Sequence, residues 1–506
     1  MSAGPEPAPA RLASGLISRS HLGIEPFEMR RPDSLADAAA AVADGSWAHA
    51  GGIDVAQRLR AGQAADELVP LCRPPTSAGT GLEMLGEISL GDGCLFIGAA
   101  VTHARIESDP LVQAHRPDVA ATWRTIGNVR IRAAGTLGGN LAAFHPGYDA
   151  APILAAAEAT VVVAEPDGTL DRCSVADLPQ HRLIVGCEVP LSGQVVFDRS
   201  LKPVVSVAVG DQAVAIGCAY AYTVVIPHGA TRTEDVAAAL AALADPINDA
   251  FATAAYRRRM IGVLVDRCLR AHAEPPVLAR DDRMGVPATR PASTQEVAPP
   301  DARSLEAAPP ARSQDVQSPD DVSRDGAGST THVEMHLNGE PFAVAAPPSE
   351  MLVDTIRTRA GLDGTRVGCD QAVCGTCTVL VDDMPAASCS TFTWQADDTE
   401  VLTIESASDP DSANARGDVA SILPAVQGAF AKSSAFQCGY CTPGLILVAA
   451  ALLARHRDPD RATICDWLDS NVCRCTGYLM VIEAVEAAAA ALAGHASADS
   501  SSGSAA

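Results

Sequence analysis

The 506-residue chain has almost no lysine: Lys202 and Lys432 are the only two among 37 basic residues, against 61 acidic ones. The formal net charge of -24 leaves no positive footprint for nucleic acid, so a nucleic-acid partner is excluded. No apolar run is long enough to span a bilayer. The opening stretch "MSAGPEPAPARLASG" has no apolar core of a secretory signal, so a cytoplasmic location is expected. Ser–His–Asp order, H-E-x-x-H, a P-loop and G-x-G-x-x-G are all missing, which leaves no candidate for substrate chemistry on this chain. Aromatic residues make up 4% of the chain, but hydrophobic residues reach 47%, enough for several cores.

Closely spaced cysteines are missing from the first 368 residues. Cys72, Cys94, Cys173, Cys187, Cys218 and Cys268 are scattered there, and the other nine follow. In a reducing compartment such thiols are metal ligands or core residues rather than disulfides. Residues 273–330 have no aromatic residue and are rich in Pro, Ala, Ser and Asp, which predicts a disordered linker. Residues 1–21 and 495–506 are predicted disordered for the same reason.

The fold class expected is α+β multidomain. "SLADAAAAVA" predicts a helix capped by Ser34 with Asp37 in a capping-box position. "CLFIGAA", "ATVVVAEPDG", "KPVVSVAVG" and "AVAIGCAYAYTVVI" predict strands. "EDVAAALAALA" and "AAYRRRMIGVLVDRCLRAH" predict helices. After the linker, "THVEMHLNGEPFAVAA" predicts a hairpin about Asn338-Gly339, and "SEMLVDTIRTRAG" a capped helix ending at Gly361. Beyond Leu423 the pattern is helical.

The first cysteine group is Cys369-x4-Cys374-x2-Cys377, with Cys389 further on. This is the plant-type [2Fe–2S] ferredoxin spacing, in which four thiolates hold two irons. Gly368 and Gly375 let backbone N–H groups approach sulfur, which raises the reduction potential. A structural zinc site is the alternative, but zinc groups usually come as two C-x2-C pairs. The second group is Cys438-x2-Cys441 with Cys473-x-Cys475. Alone, these four also suit zinc. Their setting favours a cluster: Thr442 is expected as N-cap with Pro443 at N1, and Thr463 is expected to cap a second helix with Asp466 at N3. Cys465 lies inside that helix and is expected to pack.

"GCDQAVCGTCTVLVD", "FQCGYCTPG" and "NVCRCTGY", in this order, resemble the two-cluster iron–sulfur subunit of molybdenum hydroxylases, the xanthine dehydrogenase and aerobic carbon monoxide dehydrogenase family. The resemblance covers about the last 175 residues. It implies a β-grasp ferredoxin domain (331–408) and a four-helix [2Fe–2S] domain (409–494), with Gln437 a candidate contact of the partner's pterin. Ser470 stands where the family often has Gly.

In the first half the glycine pairs Gly51-Gly52 and Gly138-Gly139 follow or end strand-like pieces. Each alone reads as a tight turn or as a backbone cradle for phosphate. Together, "AGGIDVAQRLRAG", "IGAAVTHARIESDPLV" and "IGNVRIRAAGTLGGNLAAFHPGYDAAPILAAAEATVVV" resemble the FAD subunit of the same enzymes over residues 22 to 272, divided as 22–200 and 201–272. The resemblance implies FAD pyrophosphate contacts from Ala50, Gly51, Gly52, Ile53 and Asp54 and from Thr136, Leu137, Gly138, Gly139 and Asn140, with Thr102 and Asp149 as further contacts. On bare sequence Asp149 reads equally as a solvated loop carboxylate, and His145 as structural. Ile53 replaces a small polar residue of the family. The segment from Arg172 to Val209 is also shorter, which predicts retained FAD with altered acceptor access.

The function implied is the electron-transfer component of a molybdenum hydroxylase. It carries two [2Fe–2S] clusters and FAD, with molybdopterin only on a partner large subunit. An external acceptor (NAD, quinone or oxygen) is expected, as is a hetero-oligomer, on the family's pattern a dimer of the full set. The linker is expected to let the two halves dock separately. A stand-alone flavin–ferredoxin reductase and a scaffold with a degenerate FAD fold are the alternatives.

Overall fold

The computed structural model describes residues 24–71, 79–200, 203–227, 233–273, 330–408 and 418–502. The expected disordered N-terminus (1–21) and linker lie outside the described residues, apart from the linker's two ends.

The first half begins with a small parallel sheet, ordered Glu28–Met29, Glu67–Pro70, Trp47–His49. The helix Leu35–Ala43 connects its strands and buries Leu35, Ala38, Ala39, Ala41 and Val42, the stripe expected of an amphipathic helix. Ser34 caps it, accepting from the Asp37 N–H at 3.1 Å. The capping box does not close, because the Asp37 carboxylate takes the Asp33 N–H and pairs with Arg30.

A five-stranded antiparallel sheet follows, ordered Ile88–Leu90, Cys94–Gly98, Leu183–Pro190, Thr160–Ala164, Leu170–Ser174. Short helices, among them Val129–Ala134 and Leu137–Ala142, lie between its strands in the chain. A four-stranded antiparallel meander comes next, Val196–Arg199, Ser206–Val209, Ala213–Gly217 and Val224–Pro227, backed by the helix Ala254–Ala273. The expected division at residue 200 falls inside this meander, since Val196–Arg199 pairs with Ser206–Val209.

After the linker, Thr331–Leu337 and Glu340–Ala346 form the hairpin, with Asn338 and Gly339 both at positive φ (56° and 87°), as a type I′ turn requires. The mixed sheet is ordered Glu340–Ala346, Thr331–Leu337, Glu400–Leu402, Thr378–Val381, Met384–Ala387, with Thr331–Leu337 and Glu400–Leu402 parallel. The expected helix from Ser349 is shorter. It starts at Leu352 after Met351, has no side-chain cap, and passes into a π turn over Thr355–Arg359. The final domain has four helices, Asp418–Lys432, Thr442–Arg455, Arg461–Leu468 and Leu479–Ser502. The last runs into the tail that composition assigns to disorder. Residues Gly444 to Leu453 are all buried, so Thr442–Arg455 is the central helix, apolar on every side because other elements surround it.

The expectation that the two halves dock as separate modules does not hold. One core joins Phe27, Ala56, Leu59 and Leu68 of the first half to Met351, Leu352, Phe392 and Trp394 of the second. Val129 belongs to the core of the helical domain. No helix among the described residues is long and apolar enough to cross a membrane.

Candidate functional site

Both glycine pairs open on one cavity of about 660 Å³. It is lined by Ala50, Gly51, Gly52, Ile53 and Asp54, by Thr136, Gly138, Gly139 and Asn140, and by Asp149. Packing explains two of the glycines. A Cβ on Gly51 would lie 1.9 Å from the Ala134 carbonyl oxygen, and one on Gly138 would lie 2.6 Å from the Ala99 Cβ. The two cradles are thus pressed against neighbouring backbone on one side and open to the cavity on the other.

Two sequence candidates lie outside the lining. Leu137 is fully buried in the core. Thr102 caps the helix His103–Ser108, its hydroxyl accepting from the Arg105 N–H. His145 is structural: its Nδ1 accepts from the Gly147 N–H.

The cavity wall is polar and partly unsatisfied. Asn140 Oδ1 is buried with no hydrogen-bond partner, a cost usually met by a ligand or water. Burial pushes the Asp149 carboxyl above the usual carboxylate range, and Arg199, 2.8 Å away, offsets part of that rise. Asp149 is therefore a buried ion-pair partner, not a solvated loop carboxylate. Sequence reading missed Arg199 and also Tyr148, whose hydroxyl donates to Asp54 Oδ1 at 3.2 Å. Tyr148 lies beside Asp149 in a stretch that resembles the FAD subunit, whereas Arg199 lies outside those stretches. The segment from Arg172 to Val209 reaches the cavity through Pro179 to Ile184 and Arg199. The cradle, the orphaned amide oxygen and the volume fit a dinucleotide.

Cys369, Cys374 and Cys377 lie on one loop ahead of the strand Thr378–Val381, and Cys389 lies in the turn after the strand Met384–Ala387. The N–H groups of Gln371, Val373 and Cys374 point at Cys369 Sγ (3.4, 3.3 and 3.2 Å), that of Cys369 at Cys374 Sγ (3.3 Å), and that of Ala372 at Cys389 Sγ (3.3 Å). Asp370, Ala372 and Gly375 have positive φ, which turns these N–H groups inward. Such a nest favours thiolate sulfur and a negatively charged group. The Cys377 thiol is held below its ordinary pKa, first by a hydrogen bond with Cys389 and, more weakly, by the charge of Arg130.

The second four are gathered from two loops. All four are free thiols; burial and the neighbouring Cys473 push the Cys441 thiol up, and the neighbouring Cys438 pushes up that of Cys475. Thr476 aims both its N–H and its hydroxyl at Cys473 Sγ (3.4 and 3.2 Å). The Tyr478 hydroxyl accepts from the Cys473 N–H and donates to the Asn471 carbonyl. Two expected caps shift. The N-cap of Thr442–Arg455 is Cys441, which leaves Thr442 Oγ1 buried without a partner. The N-cap of Arg461–Leu468 is Asp460, accepting from the Thr463 N–H. Gln437 is exposed beside Cys438. Cys465 lies within the helix Arg461–Leu468, outside both sets. The donor chemistry of both sets, all thiol, fits iron–sulfur clusters.

The two sets are bonded to each other. Asn471 Nδ2 donates to the Gly375 carbonyl (2.9 Å) and the Val472 N–H to the Cys374 carbonyl (2.8 Å). Arg366 donates to the Gly439 carbonyl and Tyr440 to the Val367 carbonyl. A Cβ on Gly375 would lie 2.5 Å from Asn471 Cγ, so only glycine allows this approach.

Three family models match the chain. They are the FAD binding domain in molybdopterin dehydrogenase over residues 25–191, the 2Fe-2S iron-sulfur cluster binding domain over 335–403, and the [2Fe-2S] binding domain over 403–486. The nicotinate dehydrogenase small FeS subunit of Eubacterium barkeri is 37% identical over 153 residues, 30% of this chain and 91% of that protein. The chain belongs to the molybdenum hydroxylase family. This member joins the family's FAD-binding domain and its two [2Fe–2S] domains in one chain, and it is the electron-transfer component. The xanthine dehydrogenase iron-sulfur-binding subunit of Escherichia coli O157:H7 is 40% identical over 159 residues, 31% of this molybdenum hydroxylase chain and 92% of that subunit. A carbon monoxide dehydrogenase structure from Hydrogenophaga pseudoflava is 22% identical, covers 49% of this chain and 97% of that one, and has a TM-score of 0.44.

Proposed function

We propose that this chain connects a molybdopterin-binding large subunit to an external electron acceptor, the large subunit oxidising an aldehyde, an N-heterocycle such as a purine, or carbon monoxide. The observation that carries the reading is the direct bonding of the two thiol sets at Cys374, Gly375, Asn471 and Val472, with the first set also packed against the flavin half. Such clusters pass single electrons, and a flavin collects two and releases them as a pair.

In this reading Cys369, Cys374, Cys377 and Cys389 hold one [2Fe–2S] cluster, and Cys438, Cys441, Cys473 and Cys475 the other. The backbone N–H groups of Ala50 to Asp54 hold the FAD pyrophosphate. Thr136 and Gly138 to Asn140 close the facing wall, the N–H groups of Gly138 to Asn140 being bonded within the protein. A hydroxyl or amine of the cofactor gives Asn140 Oδ1 the donor it lacks. Asp149, locked by Arg199, contacts the same cofactor. Thr102 and Leu137 support the cradle from behind.

The large subunit docks at the second set. Phe436, Tyr440, Val472 and Leu479 are large apolar residues exposed around it, and Gln437 among them faces the pterin. Apolar clusters of this kind mark protein interfaces. The acceptor, which is NAD, a quinone or oxygen, approaches at the shortened segment by the cavity. The complex is a cytoplasmic hetero-oligomer, a dimer of the full set.

The test is the Mo:Fe:FAD ratio of the tagged chain purified gently with whatever assembles on it. About one molybdenum and one flavin per four irons is the expected result, four irons being the count for two [2Fe–2S] clusters. Iron and flavin without molybdenum would point to a separate flavin–ferredoxin reductase. Iron without flavin would make the first half a scaffold.

A further inference from the structure

The flavin half reaches into the junction of the two thiol sets with one side chain. Arg130, on the helix Val129–Ala134 that leads into the Gly138-Gly139 cradle, is 2% exposed. Its Nη2 donates to the Val373 carbonyl at 3.2 Å and to the Ser470 carbonyl. Val373 immediately precedes Cys374. Ser470 belongs to the turn whose Asn471 and Val472 bond Gly375 and Cys374.

Arg130 Nε and Nη1 are buried and have no hydrogen-bond partner. The neighbouring cations differ: Arg132 pairs with Glu107 and Asp466, and Arg60 with Asp370. No carboxylate pairs with Arg130 among the described residues. A buried guanidinium without a counter-charge is strongly unfavourable. Its two acceptors place the guanidinium at the first thiol set: Val373 adjoins Cys374, and Ser470 opens the turn whose Val472 N–H bonds the Cys374 carbonyl.

We propose that Arg130 is the counter-charge of the cluster held by Cys369, Cys374, Cys377 and Cys389, a positioning residue from the flavin half that raises that cluster's reduction potential. The inference rests on the assignment of those cysteines under Proposed function. Four thiolates around two ferric irons and two sulfides leave a net negative charge, and adding one electron makes it more negative. A fixed cation beside it stabilises the reduced form more than the oxidised one, so the potential rises. Arginine stays protonated at every working pH, so the effect does not switch off.

The test is a redox titration of the full chain, followed by the electron paramagnetic resonance signal of each cluster, in Arg130→Gln and Arg130→Lys. Glutamine keeps a donor for the two carbonyls and drops the charge; lysine keeps the charge and drops the planar fork. Arg130→Gln is expected to disfavour reduction of the first cluster about tenfold, a negative shift of about 59 mV for one electron, with a smaller shift at the second. Arg130→Lys is expected to stay within about threefold of the parent by the same scale. An unchanged first potential in an iron-loaded Arg130→Gln chain would overturn the proposal, as would equal shifts in both variants. If Arg130→Gln does not load iron, Arg130→Lys decides by the same threefold and tenfold limits. Failure of both to load the first cluster would also overturn it. A parent chain without iron would instead defeat the cysteine assignment.

Discussion

Cys377 and Cys389 are buried, whereas Cys438 and Cys475 are exposed. Two sets of four thiols, the first ending at Cys389 and the second starting at Cys438, are held in different ways. The first is wrapped by five N–H···S contacts from its own loop and braced from the flavin half by Arg60 and Arg130. The second rests on helix ends, with Thr476 as its chief donor, and its rim carries exposed Phe436, Tyr440 and Val472. The difference teaches what each site faces. The first is an internal relay whose surroundings are set within this chain. The second is left open on the side where another chain can complete it.

The comparison is broken most severely at the cysteines. Cys377→Ala should remove the first cluster, lower iron from about four to about two per chain, and lower flavin content as the shared core loosens. Cys475→Ala should remove the second cluster alone and leave flavin content unchanged. Iron and flavin assays on both variants check this.

Arg60→Met should be next in size. Arg60 ends the helix that starts at the Gly51-Gly52 cradle, and its Nη1 lies 2.9 Å from Asp370 Oδ1. The Asp370 side chain is 1% exposed, and burial already pushes its carboxyl upward. Leaving it unpaired should cost about 3–5 kcal/mol, read as a loss of thermal stability. No residue on the second set stands in a comparable buried pair among the described residues.

Acid should loosen the same junction. His49 is fully buried against Phe392 and Trp394, and burial lowers its pKa to about 4. A folded-state pKa below the unfolded value of 6.5 means that the unfolded chain binds the extra proton. Stability is therefore complete above about pH 6.5 and falls as pH drops from there toward 4. The loss approaches about 3 kcal/mol at 1.36 kcal/mol per unit. His103, lowered to about 3 by burial, adds in the same direction. Melting curves of His49→Gln should show a shallower acid dependence than the parent.

Gly138→Ala should cost about 1–3 kcal/mol as overpacking, since its Cβ would meet Ala99, and should reduce flavin without reducing iron. Asp466→Ala should do least. Its carboxylate is 44% exposed, so its pair with Arg132 is worth about 0–1 kcal/mol.

Much of this was legible beforehand because cysteine spacing and glycine pairs are local. Chelation needs four thiols at short range, and the cradle needs backbone without Cβ; both are written in consecutive residues. Asn338-Gly339 announced its turn for the same reason. The misreadings were of residues whose role depends on distant neighbours. Thr442 and Thr463 satisfied the composition rule for caps, but Cys441 and Asp460 are where the chain enters the helices. Thr102 and Leu137 belong to cradle motifs, yet one caps a helix and the other fills the core. Arg130, Arg199 and the shared core of Phe27 with Phe392 carry no local signal, because each is defined by a partner tens to hundreds of residues away.

The most direct test of the central claim is a redox titration of the purified chain that follows two iron–sulfur signals and the flavin absorbance together, in the parent, Cys377→Ala and Cys475→Ala. The account predicts two separable one-electron signals and a two-electron flavin wave. Each variant should lose a different signal, and only Cys377→Ala should disturb the flavin. A single signal in the parent, zinc in place of iron, or loss of both signals from Cys475→Ala would contradict it.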